Sequence, residues 1–325
     1  MKKFIIGSLL FSSMLFADKV IVQRVHPDFD NPWLTGPLLA PSSAIVPVGH
    51  ANFEPYIYVI ANTGYYDRDW KVKKVDTLWE NSFQTFIQVG LTPWMDMEIA
   101  PSLTYNYREH KTRWGFGDFP LTFDFQLFSP NHVGDWRPHV KLICQEIFPT
   151  GKYRNLDPKK KGVDSTGEGS YQTLLGIVVG KIVHLTGLHF MTPRIFLQYT
   201  LPAKTHLKGF NSYGGGYGTN AYFFPAQSFE ADFGFEVTLT KTWAFACDFV
   251  GTWSGKTHFT GDAGRNADGT KAILGKGSSV QYALAPAIEY NWNDNLGIIG
   301  GSWFTVAGRN SARFWSAVFA LNYYI

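Results

Sequence analysis

Residues 229–239 read FEADFGFEVTL. The odd positions are Phe229, Ala231, Phe233, Phe235, Val237 and Leu239; between them stand Glu230, Asp232, Gly234, Glu236 and Thr238. Strand side chains point to opposite faces in turn, so this stretch has one aromatic face and one acidic face. A soluble sandwich also alternates, but its polar face meets solvent and its apolar face a shared core. A membrane barrel strand instead turns its apolar face to lipid and its polar face to a lumen. Residues 95–108 obey the same rule, with Met95, Met97, Ile99, Leu103, Tyr105 and Tyr107 against Asp96, Glu98, Ser102, Thr104, Asn106 and Arg108. So do residues 51–61, where Phe53, Ile57 and Val59 alternate with Asn52, Glu54, Tyr56 and Tyr58.

Twelve such segments follow one another, at about 50–61, 78–91, 94–108, 114–128, 136–149, 170–183, 189–201, 226–239, 242–253, 279–291, 296–307 and 312–325. Every second joint is short: Thr92-Pro93, Ser129 to Asp135, His184 to Leu188, Thr240-Lys241 and Trp292 to Asn295. The joints between are mostly long, at 62–77, 150–169, 202–225 and 254–278, with 109–113 and 308–311 short. Short periplasmic turns and long outer loops mark an outer-membrane barrel, and an even strand number returns both ends to the periplasm. A strand of roughly 12 residues tilted ~40° spans about 30 Å, the depth of a bilayer core. The last segment puts Trp315, Ala317, Phe319, Leu321, Tyr323 and Ile325 on one face. That ending resembles the C-terminal signature read by the barrel assembly machinery, with Ile325 where Phe is usual.

Composition agrees. The chain has 325 residues, 45% apolar, 17% aromatic and 17% charged, with 32 Gly and two Cys. Its mean hydropathy of −0.11 is that of a soluble protein. So much apolar surface excludes disorder, and two Cys exclude a disulfide scaffold. A formal charge of +3 argues against nucleic acid as a partner. Only the N-terminus approaches a helix-spanning apolar run, which excludes a helical membrane protein. Residues 1–17 carry Lys2 and Lys3, an apolar run from Phe4 to Phe16, and Ala17, the arrangement of a secretory signal. Residues 18–49 form a separate leader with Pro27, Pro32, Pro37, Pro41 and Pro47, too many for a helix or a ladder. The leader is an irregular arm or, with Trp33, Leu34, Leu38 and Leu39 as apolar material, a plug in the barrel mouth. The barrel itself is expected over 50–325.

Several short motifs stand apart from the alternation: Gly115-Phe116-Gly117-Asp118, then Phe148-Pro149-Thr150-Gly151-Lys152-Tyr153 followed by Gly167-Glu168-Gly169, and Gly308-Arg309-Asn310-Ser311. Together they resemble the outer-membrane family named after the meta-cleavage pathway of phenol degradation, over about 50–325. The resemblance implies a transporter-like barrel passing aromatic or hydrophobic compounds, and it brings no catalytic residue.

Twelve strands fall between eight, whose interior side chains fill, and sixteen, which leave an aqueous channel. A narrow polar lumen is therefore expected. Its inward acids include Glu98, Asp124, Glu230, Asp232, Glu236, Asp248 and Glu289, and its bases Arg108, Arg137, His139, Lys141 and Arg194. Arg137, His139 and Lys141 share one strand, so an acidic wall facing a basic strip would sort solutes by charge. An ion-paired interior that merely holds the barrel together is the competing reading. Pro101 and Pro286 fall mid-strand, where each removes a ladder donor. They mark either bulges or a break in the wall through which an apolar solute leaves sideways.

Cys144 and Cys247 are expected as free thiols facing lipid. The nine His show no metal-ligand spacing, so no metal is expected, and no cofactor is implied. Ser254 and His258 lie close in sequence, but both types are common in loops and a triad needs hydrogen-bond reach that spacing alone does not give, so no enzyme is expected. Lys159-Lys160-Lys161, in a long loop, would face lipopolysaccharide phosphates. The expectation is a monomeric, all-β, transmembrane antiparallel barrel of about 12 strands. It is expected to sit in the bacterial outer membrane and pass small, apolar or aromatic solutes. The alternative is a structural or surface-interaction protein acting through its outer loops without transport.

Overall fold

The computed structural model describes residues 33–130, 135–187 and 189–325. The signal sequence and the leader before Trp33 lie outside them. From residue 51 the chain forms β1 (Ala51–Tyr66), β2 (Val72–Thr92), β3 (Met95–Ile99), β4 (Ser102–Arg108), β5 (Lys111–Phe116), β6 (Phe119–Phe128) and β7 (His139–Phe148). It continues through β8 (Gln172–Gly180), β9 (Val183–Thr186), β10 (His189–Met191), β11 (Arg194–Pro202), β12 (Thr205–Lys208), β13 (Asn220–Phe224) and β14 (Ser228–Thr238). The rest is β15 (Trp243–Ser254), β16 (His258–Asp262), β17 (Ser279–Asn291), β18 (Leu296–Arg309) and β19 (Ser311–Tyr324).

These segments close a twelve-stranded antiparallel barrel. β3 with β4, and β5 with β6, each make one interrupted wall strand. β1 pairs with both β2 and β19, which leaves no edge in the wall. β9 and β10 prolong β8 and β11 at the periplasmic end, while β12, β13 and β16 pair above β11, β14 and β15 as a small outer sheet. The joint expected as a long loop over 62–77 is shorter than that. β1 and β2 run on past the bilayer span, with a register shift after Asn62, and only residues 67–71 turn. The residues there alternate too weakly to mark the extension.

The alternation sets the faces as expected. Phe233, Phe249, Trp315 and Phe319 are exposed on the outside. Trp243, Tyr290 and Trp292 pack ring on ring near the periplasmic rim, with centroids 4.8 and 5.1 Å apart, as an interface girdle does. Cys144 and Cys247 make no disulfide, and Cys247 is covered by neighbours rather than bare to lipid.

Proline explains where the wall is irregular, because it offers no ladder donor. Pro101 separates β3 from β4, and Pro193 separates β10 from β11. Pro286 lies within a continuous β17 and opposite Cys247 on β15; toward β18 the pairing skips from Leu284 to Ala287. Facing Pro101, the pairs Leu103–Phe116 and Ile99–Leu121 leave one extra residue on the β5–β6 side. This β-bulge at Gly117–Asp118 reverses the in–out parity between β5 and β6.

Candidate functional site

The leader enters the lumen. Asn291 Nδ2 donates to Trp33 O at 3.1 Å, near the periplasmic end of β17. From there the chain climbs to Leu39 and Ala40, at the height of mid-β15, and descends to a bridge between Val48 and Gly90. Six leader amides donate to wall side chains. Thr35 N reaches Glu289 at 3.0 Å, Gly36 N reaches Glu236 at 2.7 Å, and Leu39 N and Ala40 N share Asp248 at 3.3 and 3.1 Å. Ile45 N reaches Gln126 Oε1 at 2.9 Å and Val46 N reaches Asp96 at 2.7 Å. Its prolines at 37, 41 and 47 have no amide to satisfy, which is why so irregular a segment can be buried. Two wall glycines make room. A Cβ on Gly90 would lie 2.0 Å from Pro47 O, and one on Gly234 2.9 Å from both Pro37 and Ala40.

The acids that hold the leader are held in turn. Arg194 donates to Glu236 at 2.6 Å and to the carbonyls of Ala40 and Pro41. Lys141, almost wholly buried, pairs with Asp124 at 2.6 Å, and Gln88 links Asp124 to Asp96. Two buried cations thus compensate the acids nearest to them, as buried charge requires. The basic strip expected over 137–141 does not form. The strand begins at His139, and Arg137 lies before it, paired with Asp135 at 2.7 Å. Pro138 between them ends the ladder.

The remaining sites fall into place around this arrangement. His139 and Arg194 line a cavity of about 170 Å³ between the leader and the wall. Glu230 accepts from Thr252 at 3.2 Å, and Asp232, buried, has an oxygen with no hydrogen-bond partner among the described residues. Glu98 pairs across the wall with Gln88 and Thr122 on β2 and β6. Arg108, at the outer end of β4, donates to the carbonyls of Asp76 and Lys161. Ser254 lines a cavity at the outer end of the wall, whereas His258 pairs with Phe224 on the exposed side of β16.

Sequence reasoning missed an apolar face inside the lumen. Tyr56, Tyr58, Phe86 and Trp303 point inward with Ala246, Ala285, Ala287, Ile299, Val318 and Ala320, and Leu38 of the leader packs on them. Tyr56 stacks on Tyr58 at 5.5 Å and meets Phe86 edge-on at 5.2 Å. In the alternation Tyr56 and Tyr58 are inward positions that read as polar. Their rings make them part of an aromatic wall across β18, β19, β1 and β2. The lumen is therefore amphipathic: this apolar face lies beside the charges of β3, β6–β7 and β14–β17, and Glu54 of β1 stands next to it, held by Asn52 and Asn322.

The three motifs set aside in the sequence also meet, apart from the last hairpin. Thr150 Oγ1 donates to Gly117 O at 2.8 Å. Asp118 accepts from Gly151 N at 2.8 Å and Glu168 N at 2.7 Å. They tie the loop 149–171 to the bulge opposite Pro101, where the wall ladder is interrupted. Gly117 N still reaches Ser102 O at 3.1 Å and Thr85 N reaches Pro101 O at 3.1 Å, so the interruption is bridged rather than open.

Among solved structures, the COG4313 outer membrane channel of Pseudomonas putida F1 aligns with 88% of this chain and 99% of that one, at a TM-score of 0.67 and 14% identity. The fold is that of an outer-membrane barrel. The NanC porin (TM-score 0.44, 9% identity, 83% of this chain and 98% of that) and the CymD monoaromatic hydrocarbon channel (0.39, 7%, 86% and 88%) are too distant to bear on function. No protein-family model and no curated protein matches the chain. The chain is a β-barrel of the bacterial outer membrane, surrounded by its lipid.

Proposed function

We propose that the protein passes small apolar or aromatic solutes across the outer membrane. The observation that carries this is the aromatic wall of the lumen. A water-filled diffusion pore has no use for Tyr56, Tyr58, Phe86 and Trp303 on its inner face, whereas an apolar solute gains contact there. The leader acts as a plug that closes the periplasmic half to bulk water. With the axial path filled, a side exit would lie at Pro101, opening only when the two bonds that bridge the interruption, Gly117 N to Ser102 O and Thr85 N to Pro101 O, part; Pro286 lies in a continuous β17. The pore-lining residues are then Glu98, Asp124, Lys141, Arg194, Glu230, Asp232, Glu236, Asp248 and Glu289, with His139 at the lower cavity and Arg108 at the outer mouth. The channel of Pseudomonas putida supports this reading through shared fold, and membership of the phenol-pathway family is part of it. Lys159 to Lys161, at the outer surface, would face lipopolysaccharide, and β19 would dock on the assembly machinery.

The test is initial uptake of radiolabelled toluene by Gram-negative cells expressing the protein, against cells with an empty vector. A several-fold faster uptake is expected, falling toward the control in Pro101→Thr, which restores a ladder donor. Uptake equal to the control would leave the surface-interaction reading in its place.

A further inference from the structure

Three neighbouring wall strands break at one level on the outer side. β11 gives way to β12 at 203–204, β13 to β14 at 225–227, and β15 to β16 at 255–257. Pro202 and Pro225 stand at two of these breaks. Behind them lies a cavity of about 280 Å³, lined by residues of the wall, of loop 203–227 and of loop 255–278. At that size it holds one ring-sized molecule, since it falls just under the ~300 Å³ lower bound of ordinary ligand pockets.

Its floor is unusual. Thr200, Ser228 and Ser254 pair directly across β11, β14 and β15, so their side chains stand in one row. The row spacing is that of adjacent strands, ~4.8 Å. None of the three hydroxyls hydrogen-bonds another protein group among the described residues, and each is only half-buried in the cavity wall. Gln172, opposite Pro202, adds an amide side chain with no protein partner among the described residues. The other polar groups of the cavity are engaged elsewhere: Ser212 donates to Gly167 O, and Thr257 to Lys276 O. The roof is the ring of Tyr213, held against Phe223 at 4.3 Å. One carboxylate, Glu168, and one ammonium, Lys276, flank the opening, so neither sign of charge is favoured.

We propose that this cavity is an entry site for uncharged single-ring solutes carrying two or more hydroxyl groups. The ring lies between Tyr213 and the prolines, and its oxygens bond the row formed by Thr200, Ser228 and Ser254. The proposal rests on the transport reading and narrows it. A plain hydrocarbon would leave three hydroxyls unanswered, which a hydroxylated ring answers.

Resorcinol and m-xylene share a shape and differ in their hydroxyls, so they are the probes. Binding of each to the purified full-length protein is measured by calorimetry, for wild type and for the double variant Ser228→Ala/Ser254→Ala. Resorcinol is expected to bind at least tenfold tighter than m-xylene, and the double variant to lose about tenfold for resorcinol alone. Heat-modifiable migration of the variant verifies that it is folded; Thr200→Val, which keeps the shape, is the second variant and loses several-fold. Equal affinity for the two probes, or unchanged resorcinol affinity in both variants, overturns the site. Failure of transport itself looks different: neither probe enters cells, while the binding preference persists.

Discussion

The two ends of the barrel are filled by opposite means. Below mid-height the leader is held by six amide-to-side-chain bonds, four of its carboxylate acceptors and one amide lying on strands far apart in the chain. Its main apolar anchor is Leu38. Above the membrane, the loops 149–171, 203–227 and 255–278 build a core of their own from Leu207, Ala221, Phe223, Ala263 and Leu274, with Tyr153, Tyr213 and Phe259 around it. A segment held mainly by polar bonds to the wall has no core of its own. A lid with its own core resists opening as a unit. In the proposed reading, the leader is the part that yields and the outer sheet the part that stays.

The largest effect expected from this contrast is on conductance. Deleting residues 33–46 should raise single-channel conductance in planar bilayers at least tenfold, since the wall ladder closes without the leader. An unchanged conductance would show that the roof, not the leader, limits passage. Lys141→Met should cost the barrel about 3–5 kcal/mol, because it leaves Asp124 buried without its cation; unfolding in urea measures it. Phe223→Ala should cost the roof a similar ~3–5 kcal/mol of packing. It should make residues 203–227 sensitive to protease while the barrel stays heat-modifiable. Asp248→Asn, which weakens the grip on both Leu39 and Ala40, should raise conductance only several-fold.

The smallest effect concerns acid. Burial favours protonation of Asp164, but Lys152 at 2.8 Å and the Asp157 amide at 3.0 Å more than offset it and hold the carboxyl below its usual range. A lowered folded-state value means that its stabilisation is complete above the unfolded value of ~3.9 and is lost as pH falls through the lower one. Protease cleavage within 150–169 should therefore rise only below about pH 4. In Lys152→Met the rise should begin at higher pH.

Much of the fold was legible because a barrel repeats one local rule. Alternation along 229–239 or 95–108 reports the face of each residue with no knowledge of its neighbours. The same property limits what can be read. The bulge at Gly117–Asp118 adds one residue and reverses parity, and nothing local to FGD announces it. Arg137 looked inward because parity was extended through Pro138, where the strand had not begun. Of the inward charges, sequence named Glu236, Asp248 and Glu289 correctly as lumen-facing residues, yet not that they grip a leader some 200 to 250 residues away.

What the sequence determined by itself is the barrel: its strand number, its lipid face and its membrane. These follow from short-range periodicity and from the length of a strand against the thickness of a bilayer. What only the tertiary structure decided is what fills and selects within it. The leader in the lumen, the aromatic face beside the charges, and the hydroxyl row of Thr200, Ser228 and Ser254 each join residues from distant strands. Closure of the barrel brings them to one level, and no periodicity along the chain encodes that meeting.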